Sequence, residues 1–460
     1  MDLTLRRFLY LSFFAIFFIV GAALLFHLQG YRYNQDKGRI EQTGAIVVES
    51  IPKGALVTVN DKEQSRLTPA AIQSLAAGDY NVSVHLDGYQ DWRKVLGVRS
   101  SRVTFSGQLR LWPPPQLGER MLGTSGAESL LSPNGQHLLY RLRSGLASGL
   151  WLMNLATGKT ALITRPSSGT ASALAWSPSS RRILSFQLNS GSARIDLYDL
   201  EEDLWETVPL PNEVKPQLVR WGENDQLLYV ATTEELYQWN RRTKALKLVW
   251  RERLDDFRVH DELVWGLVRS NSGGLGLKVL NRTNLKLIPL EEPPQLAGSA
   301  SFFEARGEWL PLLDQDRHTL YLLHSPLTEL APVRKLPEVI SVDWAPDGDR
   351  LLLTNNIEIW EYRIDDDKLT LRERVSEPIT KSRFFGEEAY LIAAVGNKVW
   401  ALELDERGER QRWLLAEYTT PIEDIFLDPK VRTLTVETAD GFYRLTLRHE
   451  SDGVLPKVRL

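Results

Sequence analysis

Apolar and polar positions divide the chain into two unequal parts. Residues 8–28 run for 21 positions without Asp, Glu, Lys or Arg. A helix of that length rises about 1.5 Å per residue and so spans ~30 Å, the thickness of a bilayer core. Beyond residue 42 the pattern changes to short runs alternating with period two, punctuated by Gly, Asp, Asn and Pro. That is the pattern of half-buried antiparallel strands. Leu56-Val57-Thr58-Val59-Asn60 alternates up to an Asp61-Lys62 turn. Tyr80-Asn81-Val82-Ser83-Val84-His85-Leu86 alternates between Gly78-Asp79 and Asp87-Gly88 turns. Ala45-Ile46-Val47-Val48-Glu49 and Arg102-Val103-Thr104-Phe105 read as further strands. The pattern predicts one helix followed by an all-β protein.

The apolar run reads as a transmembrane helix. Arg6 and Arg7 precede it, Arg32, Lys37 and Arg39 follow it, and Tyr10, Tyr31 and Tyr33 stand where interfacial aromatics belong. A cleaved signal peptide is the competing reading, with Gly21-Ala22-Ala23 as a small-residue cleavage site. Leu24-Leu25-Phe26 then continues the apolar run past that site. Basic residues flank both ends, so charge alone does not orient the helix.

The segment 43–111 resembles the PEGA domain. Ser50-Ile51-Pro52-Lys53-Gly54-Ala55 matches the name-giving Pro-Glu-Gly-Ala turn, with Lys53 in place of Glu. Val57-Thr58-Val59-Asn60, Thr68-Pro69, Leu75, Gly78-Asp79-Tyr80, Val82, Val84, Gly88-Tyr89 and Trp92 follow in the family's order. The departure is Asn60-Asp61, where the family usually has Asp-Gly. The resemblance implies a small antiparallel β-sandwich-like fold of bacterial and archaeal envelope or surface proteins, often beside a membrane anchor, and no reaction. Tyr80, Tyr89 and Trp92 are read as core.

After Trp112-Pro113-Pro114-Pro115, a stiff extended linker, the chain repeats itself. Leu130-Leu131-Ser132-Pro133-Asn134-Gly135 is echoed by Leu174-Ala175-Trp176-Ser177-Pro178-Ser179, by Val219-Arg220-Trp221-Gly222, and by Val342-Asp343-Trp344-Ala345-Pro346-Asp347-Gly348. Trp176 and Trp221 lie 45 residues apart, and Trp221 and Trp344 lie 123 apart, or three units of 41. Units opening near Val259 and Phe303 fill that gap, and Phe385 and Leu427 continue the spacing. A period of about 40–45 with four strands per unit signals a β-propeller. The last unit has only three strands of its own, and Leu117 to Leu122 is placed to supply the fourth and close the ring. Eight blades are expected, with seven as the alternative. The turns resemble the propeller repeats of TolB-type and WD-like bacterial proteins, although the WD dipeptides are absent. That resemblance implies a binding scaffold, commonly for envelope protein partners.

Composition narrows the chemistry. The chain has no Cys, which removes disulfides, thiolate metal sites and Cys nucleophiles. The net charge of -4 comes without a basic block, so no nucleic-acid partner is expected. The seven His (His27, His85, His137, His260, His318, His324, His449) show no metal-ligand spacing. There is no Gly-x-Ser-x-Gly elbow. Asp365-Asp366-Asp367 reads as a solvated hairpin tip rather than a calcium loop. Arg181-Arg182 and Arg241-Arg242 read as exposed charges. No residue is assigned to catalysis, to a cofactor or to a metal, and no cofactor is expected.

The domain reading is a short basic tail 1–7, a transmembrane helix 8–29, a juxtamembrane linker 30–42, the PEGA-like domain 43–111, a Pro-rich linker 112–116, a propeller 117–450 and a tail 451–460. The functional expectation is a non-catalytic binding or scaffold protein, single-pass in the cytoplasmic membrane. Its large domain lies outside and meets a protein or wall polymer at the propeller face. An enzyme acting on envelope glycans, with carboxylates at the channel mouth, and a purely architectural surface-layer component are the alternatives.

Overall fold

A computed structural model describes residues 3–447, apart from 35–37, 108, 123–127, 143–147, 165–170, 190–191, 271–272, 291–292, 326–333, 337 and 387–388. The tail 451–460, His449 and Lys37 therefore lie outside the described residues. The N-terminal helix runs over Leu3–Leu28. Its stretch Leu9–Leu28 has a mean hydropathy of 2.5, and none of it is buried in protein. It is long and apolar enough to cross a membrane. The stretch read as a juxtamembrane linker contains a hairpin of Tyr31–Asn34 and Arg39–Gln42. Arg32 joins it to the helix by donating to the His27 carbonyl at 2.8 Å, where the helix leaves carbonyls unpaired.

Two main sheets form the small domain, with a short parallel pair of Ser50–Ile51 and Leu109–Arg110 beside them. Lys62–Glu63, Leu56–Val59, Gly78–His85 and Trp92–Val98 pair antiparallel in that order. Gly44–Val48 pairs antiparallel with Ala70–Leu75 and parallel with Val103–Phe105. Apolar residues at alternate positions, among them Ile46, Val48, Val57, Val82, Val84 and Leu96, meet between the sheets. Asn60 and Asp61 both take positive φ, 48° and 62°, in the two-residue turn between Val59 and Lys62. Asn and Asp tolerate that conformation, so the departure from Asp-Gly keeps the hairpin.

Eight four-stranded antiparallel sheets follow among the described residues. Their first strands are Glu128–Leu131, Ala171–Trp176, Leu218–Trp221, Asp256–His260, Ala300–Phe302, Ser341–Trp344, Ile379–Phe384 and Ile422–Leu427. First strands of most successive sheets touch, so the first strands are the inner ones, around a central channel. These sheets are blades 1 to 8 of a propeller. Blade 8 takes its outer strand, Glu119–Leu122, from the start of the region, paired to Gly441–Thr446. The ring closes by backbone hydrogen bonds and leaves the last blade no missing strand.

The recurring Trp residues have a physical role. Trp176 donates its indole N–H to the Leu130 carbonyl (3.0 Å), Trp221 to Ala175 (3.4 Å) and Trp344 to Glu304 (2.9 Å). Each bond reaches the inner strand of the preceding blade or, for Glu304, the residues just after it, so the repeat fastens neighbour to neighbour. The turns add a second set of ties. Asp225 of blade 3 accepts from Ser177 at 3.1 Å and from the Ser179 backbone at 3.1 Å, both in blade 2.

The small domain is seated on blade 7. Trp112, read as the start of a linker, is fully buried, and its ring lies 4.9 Å from Phe385 and 5.6 Å from Tyr390. One continuous apolar cluster runs from Ile46 and Val57 through Trp92 and Trp112 to Tyr390, Ile392 and Leu415. Along Trp92–Val98 every second residue points inward, and the inward set includes Lys94. Its ammonium has no exposed surface and lies 2.8 Å from Glu403 and 3.2 Å from Asp405 of blade 7. The Trp92 indole also donates to Glu403, at 3.2 Å.

Candidate functional site

Blades 3 to 8 line the channel with charge. Trp221, Val259, Trp344, Phe384 and Leu427 occupy equivalent places, opposite Leu228, Val264, Leu351, Leu391 and Leu434 in the second strands. One residue before that place stand Arg220, Arg258, Asp343 and Arg383. Three residues before it stand Asp256, Lys381 and Asp424. In a strand these two positions share a face. Glu304 of blade 5 joins them, placed by its carbonyl bond to Trp344. In blades 1 and 2 the residues one before that place are Leu130 and Ala175, and three before it stand Glu128, 3.3 Å from Arg141, and Ala173.

Part of this charge is mutually satisfied. Arg220 donates to Asp256 through Nε (2.9 Å) and Nη2 (2.5 Å). Arg383 donates to Asp343 Oδ1 at 2.6 Å, and the other oxygen accepts the Phe384 N–H at 3.1 Å. Burial acts against the Arg383 cation, but Asp343 and Asp424 together push its titration up. Asp424 accepts the Ile425 N–H at 2.7 Å. Arg258 and Lys381 have neither an ion pair nor a hydrogen bond among the described residues. Burial pushes both titrations down and a neighbouring guanidinium adds to it, Arg220 for Arg258 and Arg383 for Lys381, against the opposite pull of Glu304 and Asp256 on Arg258 and of Asp424 and Asp343 on Lys381.

The channel is thus not lined by apolar and neutral groups. Two of its carboxylates, Asp256 and Asp343, are nevertheless poorly disposed for glycosidic acid catalysis. A general acid must hold its proton near neutrality, which requires isolation from cations, and Asp343 and Asp256 are each clasped by an arginine. Among the described residues no three His, Asp or Glu side chains gather as a metal site.

A second polar concavity lies at the seat of the small domain. This cavity of about 300 Å³ is lined by Arg350, Glu361, Arg372, Glu403, Asp405 and Arg407, among others. Its charges are committed: Arg372 to Glu361 at 2.8 Å, and Arg407 to Asp405 at 2.8 Å and to the Ser106 carbonyl at 3.0 Å.

The residues weighed in the sequence fall mostly outside both places. Asp367 sits in the turn between Glu358–Arg363 and Lys368–Arg374 and accepts the Tyr362 hydroxyl at 2.6 Å. His324 pairs with Glu308 at 3.0 Å, and His318 occupies a turn at φ 49°. Trp92 is core, as read, although its core is shared with the propeller. Two readings need correction. Arg182 is not an exposed charge: only 12% of its side chain is accessible, between Asp199 (2.6 Å) and Asp225 (3.0 Å). Arg241 is likewise half-buried, 3.1 Å from Glu206. Arg181 is exposed, as read. The channel set went unnoticed in the sequence because each member is an ordinary polar residue of an alternating strand.

With this geometry in hand, comparison with known proteins is informative. Residues 43–112 match the PEGA domain family. Among solved structures the propeller is similar to the C-terminal WD40 domain of Sif2, with 15% identity and a TM-score of 0.51, covering 73% of this chain and 99% of that one. It is also similar to the Dos1 propeller, with 10% identity and a TM-score of 0.51, covering 73% and 95%. At such identities the likeness carries the fold alone. No curated protein matches the chain. The chain is therefore a PEGA domain joined to a WD40-like propeller behind one apolar N-terminal helix.

Proposed function

We propose that this PEGA-bearing propeller is a membrane-anchored scaffold of the cell envelope, with no catalytic role. The apolar helix stays in the cytoplasmic membrane as a single span. The PEGA domain and the propeller lie outside it, and the propeller presents a surface to a protein or a wall polymer. The observation that carries this reading is the seat of the PEGA domain on blade 7. A buried ammonium between two carboxylates and a fully buried Trp112 fix the propeller to the module that follows the anchor. A scaffold needs such a fixed attitude, because ordering a loose tether on binding costs entropy. The clasped channel carboxylates support the absence of catalysis, and the WD40-like fold agrees with a binding role.

Protease treatment of intact spheroplasts, with a tag after Leu460, tests the placement. Digestion of the tag is expected, and the anchor is expected to remain on the protein by intact mass. Protection until lysis would overturn the envelope reading and direct the search to a cytosolic partner. Crosslinking in membranes followed by capture on the tag is expected to yield a protein or glycan adduct on a propeller loop.

A further inference from the structure

We infer that the paired strands Tyr31–Asn34 and Arg39–Gln42 are a lipid-docking element, which lies on the bilayer surface and seats the PEGA domain against anionic phospholipid headgroups. This inference rests on the reading of the N-terminal helix as a membrane anchor and names what meets the lipid beyond it. Tyr31 stands opposite Gln42, Arg32 opposite Glu41 and Tyr33 opposite Ile40. Side chains alternate between the faces of a strand, so Tyr31, Tyr33 and Ile40 share one face, and Arg32, Arg39 and Glu41 share the other. The charged face is satisfied within the protein. Arg32 donates to the carbonyls of His27 (2.8 Å) and Tyr31 (2.9 Å), and Arg39 lies 2.6 Å from Glu41. The apolar face is uncovered among the described residues, with Tyr33 64% and Ile40 67% exposed. On that same face the Tyr31 ring meets Phe26, in the last turn of the helix, edge-on at 5.3 Å. The uncovered face is thus continuous with a helix surface that no part of the protein buries. Lipid is the occupant that this continuity supplies. An interface takes tyrosine with its ring at the acyl boundary and its hydroxyl among the headgroups, and removes isoleucine from water.

Charge extends the contact. The Gly30 carbonyl, just past the helix, accepts the N–H (2.8 Å) and the hydroxyl (2.7 Å) of Thr43, and the Thr43 carbonyl accepts the Ser101 N–H at 3.1 Å. The turn Arg99-Ser100-Ser101-Arg102 is therefore two hydrogen bonds from the end of the apolar helix, within roughly 10 Å at the ~5 Å spacing of hydrogen-bonded chains. The headgroup layer on each side of a bilayer is about 5–8 Å deep. Arg99 and Arg102 are exposed, and neither side chain has an ion pair or hydrogen bond among the described residues. Asp79 lines one hollow with Arg99 and offsets a single charge, so the turn stays cationic. Guanidinium groups match phosphate oxygens in charge and in donors, and a cation at this height is drawn to anionic lipid. The apolar face and the arginine turn need not touch each other, because each reaches the same plane through its own short link to the helix end.

The chain has no Cys, so single cysteines can each carry one environment-sensitive fluorophore. The full chain is reconstituted in phosphatidylcholine vesicles, with or without phosphatidylglycerol, as Ile16→Cys, Tyr33→Cys, Arg39→Cys, Ile40→Cys or Ser100→Cys. Nitroxides on the acyl chains are expected to quench the label at 16, 33 and 40 but not at 39, although 39 adjoins 40. Tyr33 and Ile40 are both exposed, so neither change disturbs a core, and each checks the other. Nitroxides on the headgroups are expected to quench the label at 100, more strongly with phosphatidylglycerol present. Arg99→Gln and Arg102→Gln should each lower that docked population about fivefold. Strong quenching at 16 with equally weak quenching at 33, 39 and 40 overturns the inference and leaves the anchor standing. Absence of quenching at 16 removes the anchor itself, and the inference falls with it. Quenching at 100 that ignores both phosphatidylglycerol and the two arginines overturns the headgroup contact.

Discussion

A single indole N–H illustrates how this fold is held at the level of residues. Trp176, Trp221 and Trp344 each donate across a blade boundary, and each bond replaces one that the backbone cannot make, because neighbouring blades share no ladder. Trp176→Phe keeps an aromatic ring in place but leaves the Leu130 carbonyl without that donor. A loss of about 1–2 kcal/mol is expected, read as a lower urea midpoint at an unchanged m-value. In the PEGA domain, His85 lies 2.7 Å from Asp91 and 3.3 Å from Asp87. The hydrogen bond to Asp91, followed by that to Asp87, raises its titration above the usual histidine value. Its folded pKa thus exceeds its unfolded pKa. The pair's contribution is complete below the unfolded value of about 6.5 and fades as pH rises through the folded value. Asp91→Asn should lower the His85 titration midpoint seen by NMR and flatten this part of the pH dependence. An unchanged midpoint would show that the contact does not persist in solution.

Among elements, the strand Trp92–Val98 is the most informative. Trp92 at its head was legible in the sequence as a core residue of a PEGA-like domain. What it packs against was not. The signal lay in Lys94, a cation at an inward position between Trp92 and Leu96, where an isolated sandwich would hold an apolar residue. Lys94 is buried because blade 7 covers it and supplies Glu403 and Asp405. Those residues lie some three hundred positions away, and no local pattern links them. Removing one side of a buried pair strands the other, so Lys94→Met is expected to cost about 3–5 kcal/mol. Lys94→Met with Glu403→Gln keeps an acceptor for the Trp92 indole and removes the stranded charge. The double variant should recover part of the loss, and the coupling in a double-mutant cycle measures the pair. Additive single effects would mean that the two side chains do not meet.

At the scale of the whole molecule, legibility follows how each feature is encoded. The propeller is written by repetition: the Trp spacing, the Ser-Pro-x-Gly turns and the three-strand remainder at the end each state it, and the ring closed as they implied. The charged channel is written in unrelated residues of separate blades, about 40 positions apart from one blade to the next, and only closure of the ring brings them together. The join between the modules behaves in the same way. The sequence Trp112-Pro113-Pro114-Pro115 reads as a spacer, because proline disfavours regular pairing, but Trp112 at its head is the residue that the two modules share. It is buried against Phe385 and Tyr390, and the apolar cluster passes through it without a break. Two modules with a common core should unfold together, since exposing one face of that core also exposes the other. Calorimetry of the full chain in detergent is therefore expected to show one transition for the PEGA domain and propeller. Trp112→Ala removes the shared side chain at a cost of about 3–5 kcal/mol and should split that transition, with the smaller, less deeply buried PEGA domain melting first. Two transitions in the wild-type chain would mean that the modules are merely adjacent, and the fixed attitude on which the scaffold reading rests would be lost with them.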